Sequence, residues 1–391
     1  MSDRTVRPLG GAEEQQALAA VLGLAFGAGD EEATRWIERN DPATGRVLMQ
    51  DDRLVGGLFL HPMGQWFGGR SVPMVGIGGV GMDPGARAAG GATHLMRETV
   101  KELHADGVPI STLFPATQPL YRRAGYELAG SHFRVRVHTD RLRTHERDLG
   151  IRRAEASDLP AIDRLHAENG RENDGNVERS PMLWARIREP IKSRTHAFVV
   201  EGDDGLEGYV YYFSTPNPRS HQDLDLQDVV VRTPAAARRV LTFLLDHRSL
   251  VDSVTWRGHP ADPLLLQARE QRHDVKLWDT WMVRIVDVER ALTLRGYAPN
   301  VEAEVHLAVA DDLITSNHDR FVLRVGGGEA TVERGGEGRV RLDIRSLAPL
   351  YTGFATPAQL RTAFGIQCNP EDAERLTAVF GGAAPWMQDG F

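Results

Sequence analysis

Residues 81–91, GMDPGARAAGG, set bare backbone between an apolar, strand-like run and an amphipathic stretch. Gly81, Gly85, Gly90 and Gly91 surround one basic side chain, Arg87. The first amides of a helix have no partner inside it and carry partial positive charge, and glycine lets an anion approach them. The loop is therefore either a plain strand-to-helix turn or a cradle for a phosphate-bearing ligand. Its spacing is not that of the dinucleotide fingerprint, and no lysine followed by Ser or Thr marks a P-loop. Further on, PLYRRAGYE supplies two phenols, Tyr121 and Tyr126. A phenol of ordinary pKa, about 10, can give a proton to a leaving group. Tyr126 closes a Gly-Tyr pair and is expected to pack on a sheet. Tyr121 is the candidate donor, or else a packing group beside a ligand. The closing residues, PWMQDGF, hold Trp386, Met387 and Phe391. Burying a large side chain is worth roughly 1.5–3 kcal/mol, so this tail is expected to dock rather than fray. The fourteen histidines form no HExxH and no close Cys/His cluster, so no metal is expected. Ser111 and Ser253 lie in no G-x-S-x-G setting, which argues against a nucleophile-elbow hydrolase.

The elements that must carry these groups read as α/β. TVRPL is a short strand, and EEQQALAAVLGLAF and EEATRWIER are helices. RVLMQDDRLVGGLFL is a hairpin with an Asp-Asp turn. PMVGIGGVGM is a strand whose glycines suggest a bulge or a close backbone approach. After the loop, ATHLMRETVKELHADG places Ala92, Leu95, Met96, Thr99 and Leu103 on one face and stops at Gly107. VPISTLFP is the next strand, ahead of Tyr121. The pattern then repeats at an offset of about 145–152 positions. In the second copy VVVRTPAAARRV replaces the glycine loop: no glycine remains, and Pro234 removes an amide donor. One anion-binding loop per chain is expected, in the first copy. From about Val288 the texture changes to strands expected to be antiparallel (AEVHLAVADD, DRFVLRVGGGEATVER, GRVRLDIRSL) and then helices.

The chain has 391 residues, 41% of them hydrophobic, and a formal net charge of −8. That length suits two or three domains, and the acidic balance favours a cationic partner over nucleic acid. One cysteine, Cys368, excludes an internal disulfide and fits a reducing compartment. No signal-like segment or membrane-length apolar run is present, so a cytoplasmic protein with no membrane partner is expected.

Arg87-Ala88-Ala89-Gly90-Gly91-Ala92 reads R-x-x-G-x-A. This resembles the coenzyme A loop of the GNAT superfamily of N-acetyltransferases. The order TVRPL, tryptophan helix, LVGG, VPMVGIGGVGMDP, R-x-x-G-x-A and PLYRRAGYE is similar to one branch of it, the enhanced intracellular survival (Eis) family, over the whole chain. The resemblance implies two tandem GNAT-like units, each a mixed central sheet flanked by helices, followed by a sterol-carrier-like domain. The divisions expected are 1–140 (catalytic), 141–287 (degenerate) and 288–391 (sterol-carrier-like, its tail reaching the active site). It also implies acetyl-CoA as co-substrate, direct transfer to an amine, and hexameric assembly. On this reading Val80, Gly81 and Met82 hold the coenzyme's arm, and Arg87, Ala88, Ala89, Gly90, Gly91 and Ala92 hold its diphosphate. Tyr121 would be the acid and the Phe391 carboxylate the base. Phe26, Asp30, Glu31, Trp36 and Asp389 would face the acceptor, an aminoglycoside or polyamine-like cation or a lysine side chain; the acidic members could equally be solvated surface charges. Two alternatives stand beside this one: a binding protein working through the sterol-carrier-like domain, or the same enzyme with a small-metabolite amine as acceptor.

Overall fold

The computed structural model describes residues 4–86, 90–142, 144–190, 193–219, 221–270 and 272–391. Arg87, Ala88 and Ala89 of the glycine loop lie outside the described residues. The chain forms two compact units. One joins Met1–Gly130 to Thr280–Pro385 and Gly390–Phe391; the other joins Ser131–Asp279 to Trp386–Asp389.

The first unit opens with strand β1 (Arg4–Pro8) and helices α1 (Ala12–Phe26) and α2 (Asp30–Glu38). Strands β2 (Gly45–Gln50), β3 (Arg53–Phe67) and β4 (Arg70–Met82) follow, then α3 (Gly91–Ala105), β5 (Ile110–Leu113), α4 (Gln118–Arg122) and the start of β6 (Glu127–His138). The β2–β3 hairpin turns on Asp51 and Asp52, both at positive φ (49° and 59°), the geometry that suits the twist of a tight hairpin. Successive residues of β3 point to opposite faces. Phe59 packs with Leu18, Leu22 and Ile37 of α1 and α2. Leu58 and Leu60 pack instead with Leu95, Met96, Val100 and Leu103 of α3. The face read from the sequence of α3 is the buried one, with Val100 added and Ala92 at its half-buried edge.

The second unit repeats the plan. It holds β7 (Gly150–Arg153), α5 (Leu159–Arg171), β8 (Val177–Glu178), α6 (Pro181–Arg188), β9 (His196–Gly202), β10 (Gly205–Pro216) and β11 (Gln222–Val231). Helix α7 (Pro234–Asp246), β12 (Val251–Arg257), α8 (Pro263–Gln267) and the first part of β13 (His273–Ile285) complete it. Its strands lie in the order β6-β12-β11-β10-β9-β7. As in the first copy, a hairpin leads to a long strand, a helix and a parallel return strand.

The last segment packs in the first unit. It comprises α9 (Val288–Leu294), β14 (Ala303–Ala310), β15 (Arg320–Gly326), β16 (Glu329–Arg334), β17 (Val340–Asp343), α10 (Ile344–Tyr351), α11 (Pro357–Phe364) and α12 (Pro370–Phe380). The sheet order is β16-β15-β14-β17. An all-antiparallel sheet was expected, but β17 lies parallel to β14, pairing Leu307 with Val340 and Ala310 with Asp343. The link 335–339 crosses the face of the sheet over Val322, His306 and Ala308, with Glu337 N donating to His306 Nδ1 at 3.0 Å, and does not reverse the chain. In β13, Arg284 is fully buried and donates from Nη2 to Asp311 Oδ2 at 2.6 Å. Asn317 Nδ2 donates to the same oxygen at 3.0 Å, and the amides of Leu313 and Ile314 donate to Oδ1.

Candidate active site

The β4–β5 ladder pairs Met74 with Ile110, Val75 with Ser111 and Gly76 with Thr112, and ends there. β4 itself runs on beside β3 to Met82. Two parallel strands that part in this way leave main-chain amides on the open side, and such groups need a partner. A bulge aids the parting. Phe59 pairs with Gly78 but Gly57 pairs with Gly81, so β4 spends one residue more than β3. Gly79 takes the strain, at φ 62°. The Trp36 ring lies over Gly79, packed edge-on against Phe59 at 5.2 Å. Gly79→Ala is expected to cost about 1–2 kcal/mol for the left-handed backbone alone. It should also push Trp36 aside; a denaturation midpoint lowered by that amount checks it.

Beyond β4, Gly90 caps α3 at φ 78°, and no cap side chain occupies the first helical amides. Val80 is half-buried, Gly81, Met82 and Gly91 are buried, and Ala92 is half-buried. A methyl group at Gly90 would lie 4.0 Å from Arg4 Nη1. Arg4 Nε donates to Gln50 Oε1 at 3.0 Å, which holds the guanidinium on this side of β1. The sequence reading passed over Arg4, because only the Arg4–Gln50 register brings it to the loop.

Phe391 lies on the glycines of β4. A methyl group at Gly76 would meet its ring at 2.6 Å. One at Gly78 would meet His61 Nε2 at 2.7 Å and the Phe391 carboxyl carbon at 3.3 Å. The ring packs edge-on against Phe114 (5.7 Å) and His61 (6.4 Å). The carboxyl of Phe391 therefore sits beside β4 just past the point where β5 departs. His61 and Phe114 were not singled out from sequence, since nothing in their spacing relates them to residue 391.

Tyr121, in α4 directly after β5, is 4% exposed. Burial pushes its phenol up to about 12, so it stays protonated at neutral pH. Tyr126 lies in the core as expected: its hydroxyl donates to Ser111 Oγ at 2.8 Å, and Ser111 donates to the Val75 carbonyl at 2.8 Å. Phe26 is 58% exposed at the end of α1. Asp30 and Glu31 are exposed in the first turn of α2, with Glu31 3.8 Å from Arg35. Asp389, also expected at the acceptor, belongs to the second unit. It is 3% exposed, and its Oδ1 accepts from Arg179 Nε at 2.8 Å. Among the described residues, no group of three or more His, Cys, Asp or Glu side chains could hold a metal ion. No described helix is long and apolar enough to cross a membrane.

Models of the acetyltransferase (GNAT) domain match residues 5–129 and again 175–285, and a sterol carrier protein domain matches 288–388. A GCN5-related N-acetyltransferase from Anabaena variabilis is similar over the full length of both chains, at 34% identity and a TM-score of 0.96. The chain belongs to the GCN5-related N-acetyltransferases, and it is an N-acetyltransferase. Its architecture is Eis-like: two acetyltransferase domains ahead of a sterol-carrier domain, the fold of Eis1 from Mycobacterium abscessus (TM-score 0.80, 23% identity, all of both chains). An uncharacterised N-acetyltransferase of Streptomyces coelicolor is 26% identical over 346 residues, 83% of this chain and 82% of the relative.

Proposed function

We propose that the chain transfers the acetyl group of acetyl-CoA directly to an amine of a cationic small molecule, an aminoglycoside or a polyamine. The observation that carries this reading is the parting of β4 from β5 at Gly76, with Phe391 beside the opening. The thioester supplies the electrophilic carbonyl when the coenzyme is bound. Main-chain amides around Val80 and Met82 hold its arm, and the start of α3 with the loop 87–92 holds its diphosphate. The Phe391 carboxylate takes the proton of the attacking amine. A nitrogen–carbon bond forms, the carbon–sulfur bond breaks, and the Tyr121 hydroxyl protonates the departing sulfur. The desolvation that raises the Tyr121 phenol also raises a thiolate held beside it, which lessens the uphill part of the proton transfer. Exposed acidic groups at Asp30 and Glu31, with the aromatic faces of Phe26 and Trp36, suit a cation. Location in the cytoplasm and assembly as a hexamer belong to the same reading.

Calorimetry with acetyl-CoA tests the site. The intact chain should bind, and Arg4→Ala should weaken binding about three- to tenfold by removing one charge beside the α3 terminus, while turnover at saturation is kept. Absence of binding at millimolar acetyl-CoA would dispose of the reading. An amine panel scored by thiol release then identifies the acceptor.

A further inference from the structure

The second acetyltransferase domain has a cleft of its own. The β11–β12 ladder ends at Leu226 and Trp256, yet β11 runs on to Val231, so these strands part as β4 and β5 do. A cavity of about 600 Å³ opens there, its wall including Arg257, His259, Trp386 and Gln388. At the head of α7 the Thr233 hydroxyl already accepts from the Ala236 amide, and Pro234 has none to give.

The tail meets both sides of this cleft. Met387 N donates to the Ser131 carbonyl at 3.0 Å on β6, and Trp386 N donates to the Asp174 carbonyl at 3.0 Å. Trp386 Nε1 donates to Asn173 Oδ1 at 3.2 Å. Gln388 Nε2 donates to Asp228 Oδ1 at 2.6 Å, on β11 past the end of the ladder. Beneath lies a fully buried cluster. Arg179 donates from Nε to Asp389 and from Nη1 to Asp228, and its guanidinium lies 4.6 Å over the Trp184 ring. Tyr209 donates to Asp228 Oδ2 at 2.9 Å. Burial pushes the Asp228 carboxyl up, but the adjacent Arg179 charge outweighs it and leaves the group below its ordinary value. Trp386 is 8% exposed, Met387 has no exposure, and Gln388 and Asp389 have 3% each. Chain ends fray unless tied down, so four consecutive tail residues this deeply buried mark a built seat.

We propose that the cleft of the second acetyltransferase domain is the binding seat of the chain's own tail, and that Arg179, Asp228 and Asp389 are positioning residues for the Phe391 carboxylate. Asp389 is two residues from that carboxylate, so fixing it limits the reach of the end of the chain to about 7 Å. The positional part rests on the reading of Phe391 as the base; the seat does not.

The test uses the full chain and two readouts: release of phenylalanine by carboxypeptidase A, and acetyl transfer by thiol release. Asp389→Ala is expected to speed phenylalanine release at least tenfold. It should lower kcat at least tenfold and leave the KM for acetyl-CoA within about twofold. Asp389→Asn, which keeps an acceptor for Arg179, should restore part of both. Gln388→Ala, which leaves the ion cluster whole, should act in the same direction more weakly and covers the case in which Asp389→Ala does not fold. Unchanged release in folded variants overturns the seat, whatever happens to turnover. Faster release with unchanged kcat upholds the seat and removes Phe391 from the chemistry instead.

Discussion

Tyr121→Phe is expected to lower kcat by about 10²–10⁴, the usual contribution of a positioned general acid. The substitution keeps the ring that packs in the core below α3 and deletes only the hydroxyl. The KM for acetyl-CoA should therefore stay within about twofold, because the lost interaction is made in the transition state rather than in binding. The pH dependence gives a second check. Burial pushes the phenol up to about 12, so its proton is still present at pH 10. If Tyr121 is the acid, its ionisation produces no alkaline fall in kcat below that pH. Unchanged turnover in the phenylalanine variant would take Tyr121 out of the mechanism.

Adding one glycine after Phe391 should be as damaging. It converts the carboxylate beside Gly78 into a peptide carbonyl and moves the charge on by one residue, about 3.8 Å. A reacting group misplaced by even 1 Å can cost about 10² in rate, and loss of the base itself about 10²–10⁴. Acetyl-CoA binding, read by calorimetry, should be unaffected. Full activity in the extended chain would mean that another group takes the amine's proton.

Much of this was legible in local sequence because it depends on local physics. The apolar spacing of α3, the Asp-Asp hairpin and the glycine run of β4 each specify their own conformation, and the order of elements disclosed the family. The bulge at Gly79 was foreshadowed by its glycines. What could not be read were contacts set by register and by distant chain. Arg4 reaches the α3 terminus only through its pairing with Gln50. The ion pair of Asp389 joins it to Arg179, 210 residues away. His61 meets Phe391 beside Gly78, a contact that no spacing in the sequence relates. The direction of β17 escaped because a short link can cross a sheet without reversing, and composition does not record which it does.

The Arg284–Asp311 pair bears on how this protein can be taken apart. Residue 284 precedes the sterol-carrier segment and residue 311 belongs to it, so a chain cut at 287 would lose the counter-ion of a guanidinium that the full chain buries. In the full chain, where that guanidinium stays covered, removing the Asp311 carboxylate alone would cost about 3–5 kcal/mol, a large fraction of what holds a typical domain folded. The sterol-carrier segment is thus a structural dependency of the amino-terminal half rather than a detachable accessory, and a minimal catalytic fragment would have to be engineered at Arg284 before it could be made.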